Sequence, residues 1–153
     1  MCYTVLFDAV ANIAVPVEAL VSVLYWPMVL TAREMLVPKD SPFDLPLSLD
    51  LALHLWPTLF IWFDFLVYNT TFKRSSTHVT ALYIFAMLYY VWTAYCFHRN
   101  GFWPYPFLGE FSHAGRAVLY MACGTLAVIM YNGGALIHSK IHKVKKTAGK
   151  KIK

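Results

Sequence analysis

The chain has 153 residues, of which 59% are hydrophobic, 17% aromatic and only 14% charged, which is too little polar content to coat a soluble globule of this size. Composition therefore predicts an all-α, polytopic integral membrane protein. The net charge of +5 is local: seven lysines from Lys140 onward contribute +7 and the other residues −2, so the basic character belongs to a tail.

The first apolar segment runs from about Ala9 to Leu30, interrupted by Pro16, Glu18 and Pro27. It is too long, and lacks the basic leading region, for a cleaved signal peptide. Glu18 reads either as an interior polar group or as one that snorkels to the interface. Thr31 to Asp44 is a polar connection in which Arg33 and Lys39 face Glu34, Asp40 and Asp44, a sum of −1, and its Pro38 and Pro42 stop helix propagation.

Leu45 to Tyr68 is long enough to span a bilayer as a helix, yet it carries Asp50, His54 and Asp64. At about 100° per residue these three and Thr58 share one stripe, which is expected to face protein or enclosed water. Asp50 and His54 are separated by about 6 Å of helix rise, whereas Asp64 lies about 15 Å beyond the histidine. Asp50 can orient His54; Asp64 cannot. Pro57 removes a backbone donor and frees the carbonyl of Leu53, which predicts a kink and a pocket beside His54. Two readings of the stripe follow, a functional site and a buried polar network that holds helices in register.

The loop NTTFKRSSTH after Tyr68 carries +2, and Val79 to Phe97 is an uncharged third span. His98 to Arg116 gathers Phe102, Trp103, Tyr105, Phe107 and Phe111 among glycines and prolines, so it is not one regular helix; it reads as an aromatic anchor at headgroup level or as a gating lid. Ala117 to Ile137 is the fourth span, with Gly124, Gly133 and Gly134 as close-packing points. The organisation is one transmembrane domain of four helices, 1–138, and a basic cytosolic tail, 139–153. Basic residues place the Asn69–His78 loop and the tail on the cytosolic side, and with them both termini.

Cys2, Cys96 and Cys123 form neither a disulfide framework nor a metal-ligand pattern and read as small apolar packers. The tail lysines carry no interleaved nucleic-acid motif, so membrane lipid headgroups are their expected partners, at about 1 kcal/mol per lysine near the surface. Lys150-Lys151-Ile152-Lys153 also fits the dilysine pattern for retrieval to the endoplasmic reticulum, against the alternative of a plain electrostatic tail.

No motif for a cofactor, a phosphate or a nucleophile elbow is present. What remains is His54, which Asp50 would poise as a general base toward a hydroxyl, the minimum apparatus for acyl transfer. Thr58 lies one turn on, and its hydroxyl is expected to bond the His54 carbonyl. Arg33-Glu34-Met35 with Pro38, then His54, then Asp64, then Gly101-Phe-Trp-Pro-Tyr-Pro-Phe-Leu108 with Gly115-Arg116, resembles the androgen-induced membrane-protein family from about Asn12 to Ile137. The resemblance implies hydrolysis of fatty acid esters of hydroxy fatty acids by a threonine nucleophile, with His54 on the family's catalytic histidine and a fatty-acyl ester as substrate. It also implies about six spanning helices, the nucleophile lying on one of the first two. No threonine here matches that nucleophile, and Thr4 falls outside the aligned part. A chain without the reaction, one with another nucleophile, and a piece of a longer hydrolase are the three alternatives, beside a non-catalytic protein that binds lipid or a partner helix.

Overall fold

The computed structural model describes residues 2–37, 45–70 and 72–151, with side chains between 9 and 143 in those ranges. Every helix longer than a turn among them is α: α1 (Cys2–Thr31), α2 (Leu47–His54), α3 (Trp56–Val67), α4 (Ser76–Asn100) and α5 (His113–Lys151), with 3-10 turns at Arg33–Met35 and Pro106–Glu110. Among the described residues four stretches are long and apolar enough to cross a membrane, Ala9–Thr31, Leu47–Val67, Ser76–Asn100 and His113–Lys143, so the all-α, four-span architecture is as expected. Pro38, Pro42 and the Ile152-Lys153 end of the dilysine pattern lie outside the described residues, as do the side chains of Cys2, Thr4, Lys150 and Lys151.

Helix ends follow local chemistry. The Ser75 hydroxyl accepts the Thr77 N–H at 3.2 Å and starts α4 three residues before Val79, where hydropathy alone begins the span. Gly101 closes that helix in the left-handed region, φ 79°, its N–H reaching the Phe97 carbonyl at 2.8 Å. Ser112 caps α5 by accepting the Gly115 N–H at 3.1 Å, and no glycine or proline follows Gly134 until Gly149, so α5 runs past Ile137.

Lipid tails are as apolar as the helices, so close approach rather than hydrophobic drive holds the spans together. A Cβ at Gly124 would stand 3.1 Å from the Ala86 Cβ on α4, and one at Gly134 would stand 3.1 Å from the Trp62 ring on α3. Gly133, expected to be a third such point, has nothing within 4 Å. One residue is about 100° of helix rotation, which turns Gly133 off the seam that Gly134 occupies. Leu82, Ala127 and Tyr131 form the buried centre between α4 and α5, with Ile13 and Val17 of α1 packed on it. Trp62 of α3 donates its indole N–H to the Val15 carbonyl at 2.9 Å, beside Pro16 of α1. Cys96 and Cys123 are half-buried, free thiols.

The aromatic loop is part packed plug, part outward rim. Trp103 and Leu108 are buried with Tyr120, and Trp103 stacks on Phe97 with ring centres 4.5 Å apart. The Arg116 guanidinium sits 4.2 Å from the Trp103 ring centre and donates from Nε to the Leu108 carbonyl at 2.7 Å. Phe102 and Phe111 point outward. The turn at Pro106–Glu110 touches the turn at Arg33–Met35, which puts this loop at the same end of the bundle as the α1–α2 connection.

Candidate functional site

The central span is not one kinked helix but two, α2 and α3, divided at Leu55, whose φ of −127° and ψ of −52° leave the α region. Pro57 sits in the first turn of α3, the position where its missing N–H costs least. The carbonyl that this break presents to α1 is that of His54, which accepts from the Ser22 hydroxyl and, at 3.3 Å, from the Trp26 indole N–H. The break is therefore capped by side chains of a neighbouring helix, which satisfies a polar group that lipid would not.

One turn before the break, the pairing read from the i,i+4 spacing is made. His54 Nδ1 lies 2.8 Å from Asp50 Oδ1, with the two side chains 23% and 12% exposed. A carboxylate only accepts, so this bond places the hydrogen on Nδ1 and leaves the Nε2 lone pair for a proton from elsewhere. Tyr25 completes the arrangement from α1. Its hydroxyl donates to the same Asp50 Oδ1 at 2.5 Å, and its ring stacks on the imidazole at 3.6 Å between centres and 13° between planes. The imidazole is thus held in azimuth by a carboxylate and in tilt by a phenol ring.

Ser22 and Thr58 form a second group beneath it. Thr58 does not bond the His54 carbonyl as expected: its hydroxyl donates to the Glu18 carbonyl of α1 at 2.7 Å, and Ser22 holds the His54 carbonyl instead. The break rotates Thr58 away from its own preceding turn and toward α1. The two hydroxyls also meet each other at 2.7 Å, so two protons serve three contacts. Glu18 is half-buried and enters this group through its main chain. Among the described residues no serine or threonine hydroxyl bonds the His54 ring.

Asp64 is exposed rather than turned inward. The stripe that included it assumes one uninterrupted helix, and the break at Leu55 resets the phase of α3 relative to α2. A cleft of about 440 Å³ does open here, but it is lined by Tyr25, Asp50 and Arg33 with apolar walls from Val29, Leu36 and Leu47, and His54 is not in its lining. It reaches the site from the carboxylate side. No group of three or more metal-ligating side chains gathers among the described residues.

Tyr25, Ser22 and Trp26 join the site from α1 without belonging to any motif of the central span. The signal was available: Glu18, Ser22 and Tyr25 recur at i, i+4 and i+7, one polar face on an otherwise apolar helix.

A family model described as FAR-17a/AIG1-like protein matches residues 4–139. A UPF0641 membrane protein of Schizosaccharomyces pombe is 32% identical over 127 residues, 82% of this chain and 57% of that protein. The androgen-induced gene 1 protein of Homo sapiens is 26% identical over 137 residues, 90% and 58% of the two chains, and a UPF0641 membrane protein of Saccharomyces cerevisiae is 25% identical over 130 residues, 78% and 53%. The chain thus spans a little over half the length of the curated relatives it matches. No solved structure matches. The family match begins earlier than Asn12 and takes in Thr4 at its edge.

Proposed function

The chain belongs to the FAR-17a/AIG1-like family, and we propose that it carries the acid–base half of a membrane-embedded hydrolase of fatty-acyl esters of hydroxy fatty acids. His54 is the base, Asp50 its orienter and Tyr25 the residue that fixes both. The observation that carries this reading is the bond from His54 Nδ1 to Asp50 Oδ1 inside an apolar span, with Nε2 left as acceptor. Nε2 takes the proton of an attacking nucleophile as it adds to the ester carbonyl, then returns it to the departing alkoxide, which leaves as the hydroxy fatty acid. The nucleophile is not a described hydroxyl at the ring.

Purified chain, by itself, is accordingly expected to hydrolyse a palmitoyl ester of a hydroxystearic acid no faster than His54→Ala. Hydroxylamine, small enough to stand in for the nucleophile, should then give hydroxamate and free hydroxy acid, with His54 contributing about a hundredfold, the low end for a general base. Ester cleavage without hydroxylamine that His54→Ala abolishes would mean that the chain holds its own nucleophile; Thr58→Ala would then say whether it is Thr58. Turnover indifferent to His54 under both conditions would favour the second reading, a non-catalytic protein whose polar groups fix helix register. The observation on that side is the Ser22–Thr58–Glu18 network, which joins α1 to α3 and touches no substrate-accessible ring atom.

The proposed setting is the endoplasmic reticulum membrane with both termini cytosolic. The positive loop at Lys73 and Arg74 and the lysine tail support that orientation. Asn69-Thr70-Thr71 should therefore stay unglycosylated, and an acceptor site on a polar insert in the His98–Arg116 loop should be modified when the chain is made with microsomes. A modified Asn69 with a protease-protected C-terminal tag would invert the topology. Changing Lys150 and Lys151 to serine tests retrieval separately, by release to later compartments.

A further inference from the structure

The geometry points to a binding site for the phosphate of an anionic lipid headgroup at the opposite end of the bundle from Tyr25 and the aromatic loop. A cleft of about 450 Å³ opens there between the α3–α4 loop and α5, with Arg74, Lys143, His138 and His142 in its lining beside the hydroxyls of Thr70 and Ser139. No aspartate or glutamate lines it. Two cations and two hydroxyls around one concavity that holds no carboxylate are a donor set for a phosphate, and the buried, unpartnered Oδ1 of Asn132 marks a polar side chain in the same lining.

Its placement favours a lipid over a soluble anion. The span of α3 ends at Val67 and that of α4 begins at Ser76, so the loop between them marks the level where hydrocarbon gives way to headgroups. Two carbonyls at and just past the end of α3, which would repel an anion, are already covered: His138 Nε2 lies 2.5 Å from the Asn69 carbonyl oxygen and His142 Nε2 lies 3.2 Å from that of Leu66. The two imidazoles lie with centres 4.2 Å apart and planes tilted by 34°, a preformed wall. Leu136, also in the lining, is 64% exposed, and Ile129, two turns toward the membrane centre on the same face of α5, is 61% exposed. A headgroup in the cleft would lay its acyl chain along that stripe.

The test uses the whole chain in detergent, following the thermal midpoint during titration with dioctanoyl phosphatidate, dioctanoyl phosphatidylcholine and inorganic phosphate. Phosphatidate should stabilise saturably and phosphatidylcholine should not. At about fivefold per interfacial cation, Arg74→Gln should weaken the apparent Kd about fivefold and the Arg74→Gln, Lys143→Gln pair about thirtyfold. Lys140→Gln removes an equal charge from the same helix outside the cleft and should change it less than twofold. Equal responses to the two lipids, or an equal loss in Lys140→Gln, would overturn the site. Saturation by inorganic phosphate at the same affinity would overturn the lipid as its ligand. The wild-type comparison of the two lipids decides even where the paired variant fails to fold.

Discussion

Replacing Asp50 with asparagine should leave the fold nearly intact while cutting hydroxylamine-dependent ester cleavage about a hundredfold. The amide keeps an oxygen that accepts from Tyr25 and from His54 Nδ1, the two donors that now converge on Asp50 Oδ1 at 2.5 and 2.8 Å. What it loses is the negative charge that stabilises an imidazolium as His54 takes a proton, and with it the preference for hydrogen on Nδ1. Alanine at the same position is a different experiment. It strands the Tyr25 hydroxyl and the His54 Nδ1 hydrogen in a largely buried, apolar setting, and each hydrogen bond to a charged group contributes about 1.5–3 kcal/mol. Asp50→Ala should therefore lower the thermal midpoint as well as the turnover, by about 3 kcal/mol of stability. Tyr25→Phe separates the ring from its hydroxyl: the stack at 3.6 Å survives and only the bond to Asp50 is lost, so turnover should fall less than in either Asp50 variant. Cleavage in Asp50→Asn equal to wild type would remove Asp50 from the proposed machinery and leave the pair as a structural contact.

The contrast between what the sequence foretold and what only the fold supplies follows the range of each interaction. Asp50 and His54 meet because four residues on one helix always do, and the interruption near Pro57 follows from a missing N–H; both are local and both were legible. Asp64 and Thr58 went wrong for one shared reason. Azimuths projected through one continuous helix do not hold across the division at Leu55, and every residue of α3 carries the same phase offset. Tyr25 and Ser22 reach the site from α1, 25 and 32 residues away in sequence from their partners Asp50 and His54, and contacts of that span depend on how two helices dock. In a bilayer that docking is set by small residues and polar contacts rather than by hydrophobic contrast, so a hydropathy pattern locates the spans while leaving their rotations open. Gly133 and Gly134 show the same limit at a single step. Composition marks both as small, and only the direction of the Trp62 ring says which one faces the neighbouring helix.

Arg116→Gln should free the aromatic loop without touching the Asp50–His54 pair. Arg116 is 8% exposed, and among the described residues its charge is met by the Leu108 and Gly109 carbonyls and the Trp103 ring rather than by a carboxylate. The Nε hydrogen bond at 2.7 Å contributes about 2 kcal/mol as a charge-assisted bond, and the cation–π contact about 1 kcal/mol more. Glutamine retains a donor but not the planar fork that spans carbonyl and ring at once, and lysine retains the charge but not the fork. Both variants should lower the thermal midpoint, glutamine more than lysine, and limited proteolysis should cut between Phe102 and Phe111 at least about tenfold faster, since cleavage follows the population of the opened segment. The same loop rests its Pro106–Glu110 turn on the Arg33–Met35 turn, and Arg33 lines the cleft that leads to Tyr25 and Asp50. If the loop governs entry to that cleft, the Arg116→Gln chain should show a changed KM for the ester with hydroxylamine-dependent kcat preserved; if it is only an interfacial anchor, both constants should stay as they are while the protease sensitivity rises. A loop as resistant in Arg116→Gln as in wild type would show that Trp103 and Leu108 hold it by packing alone.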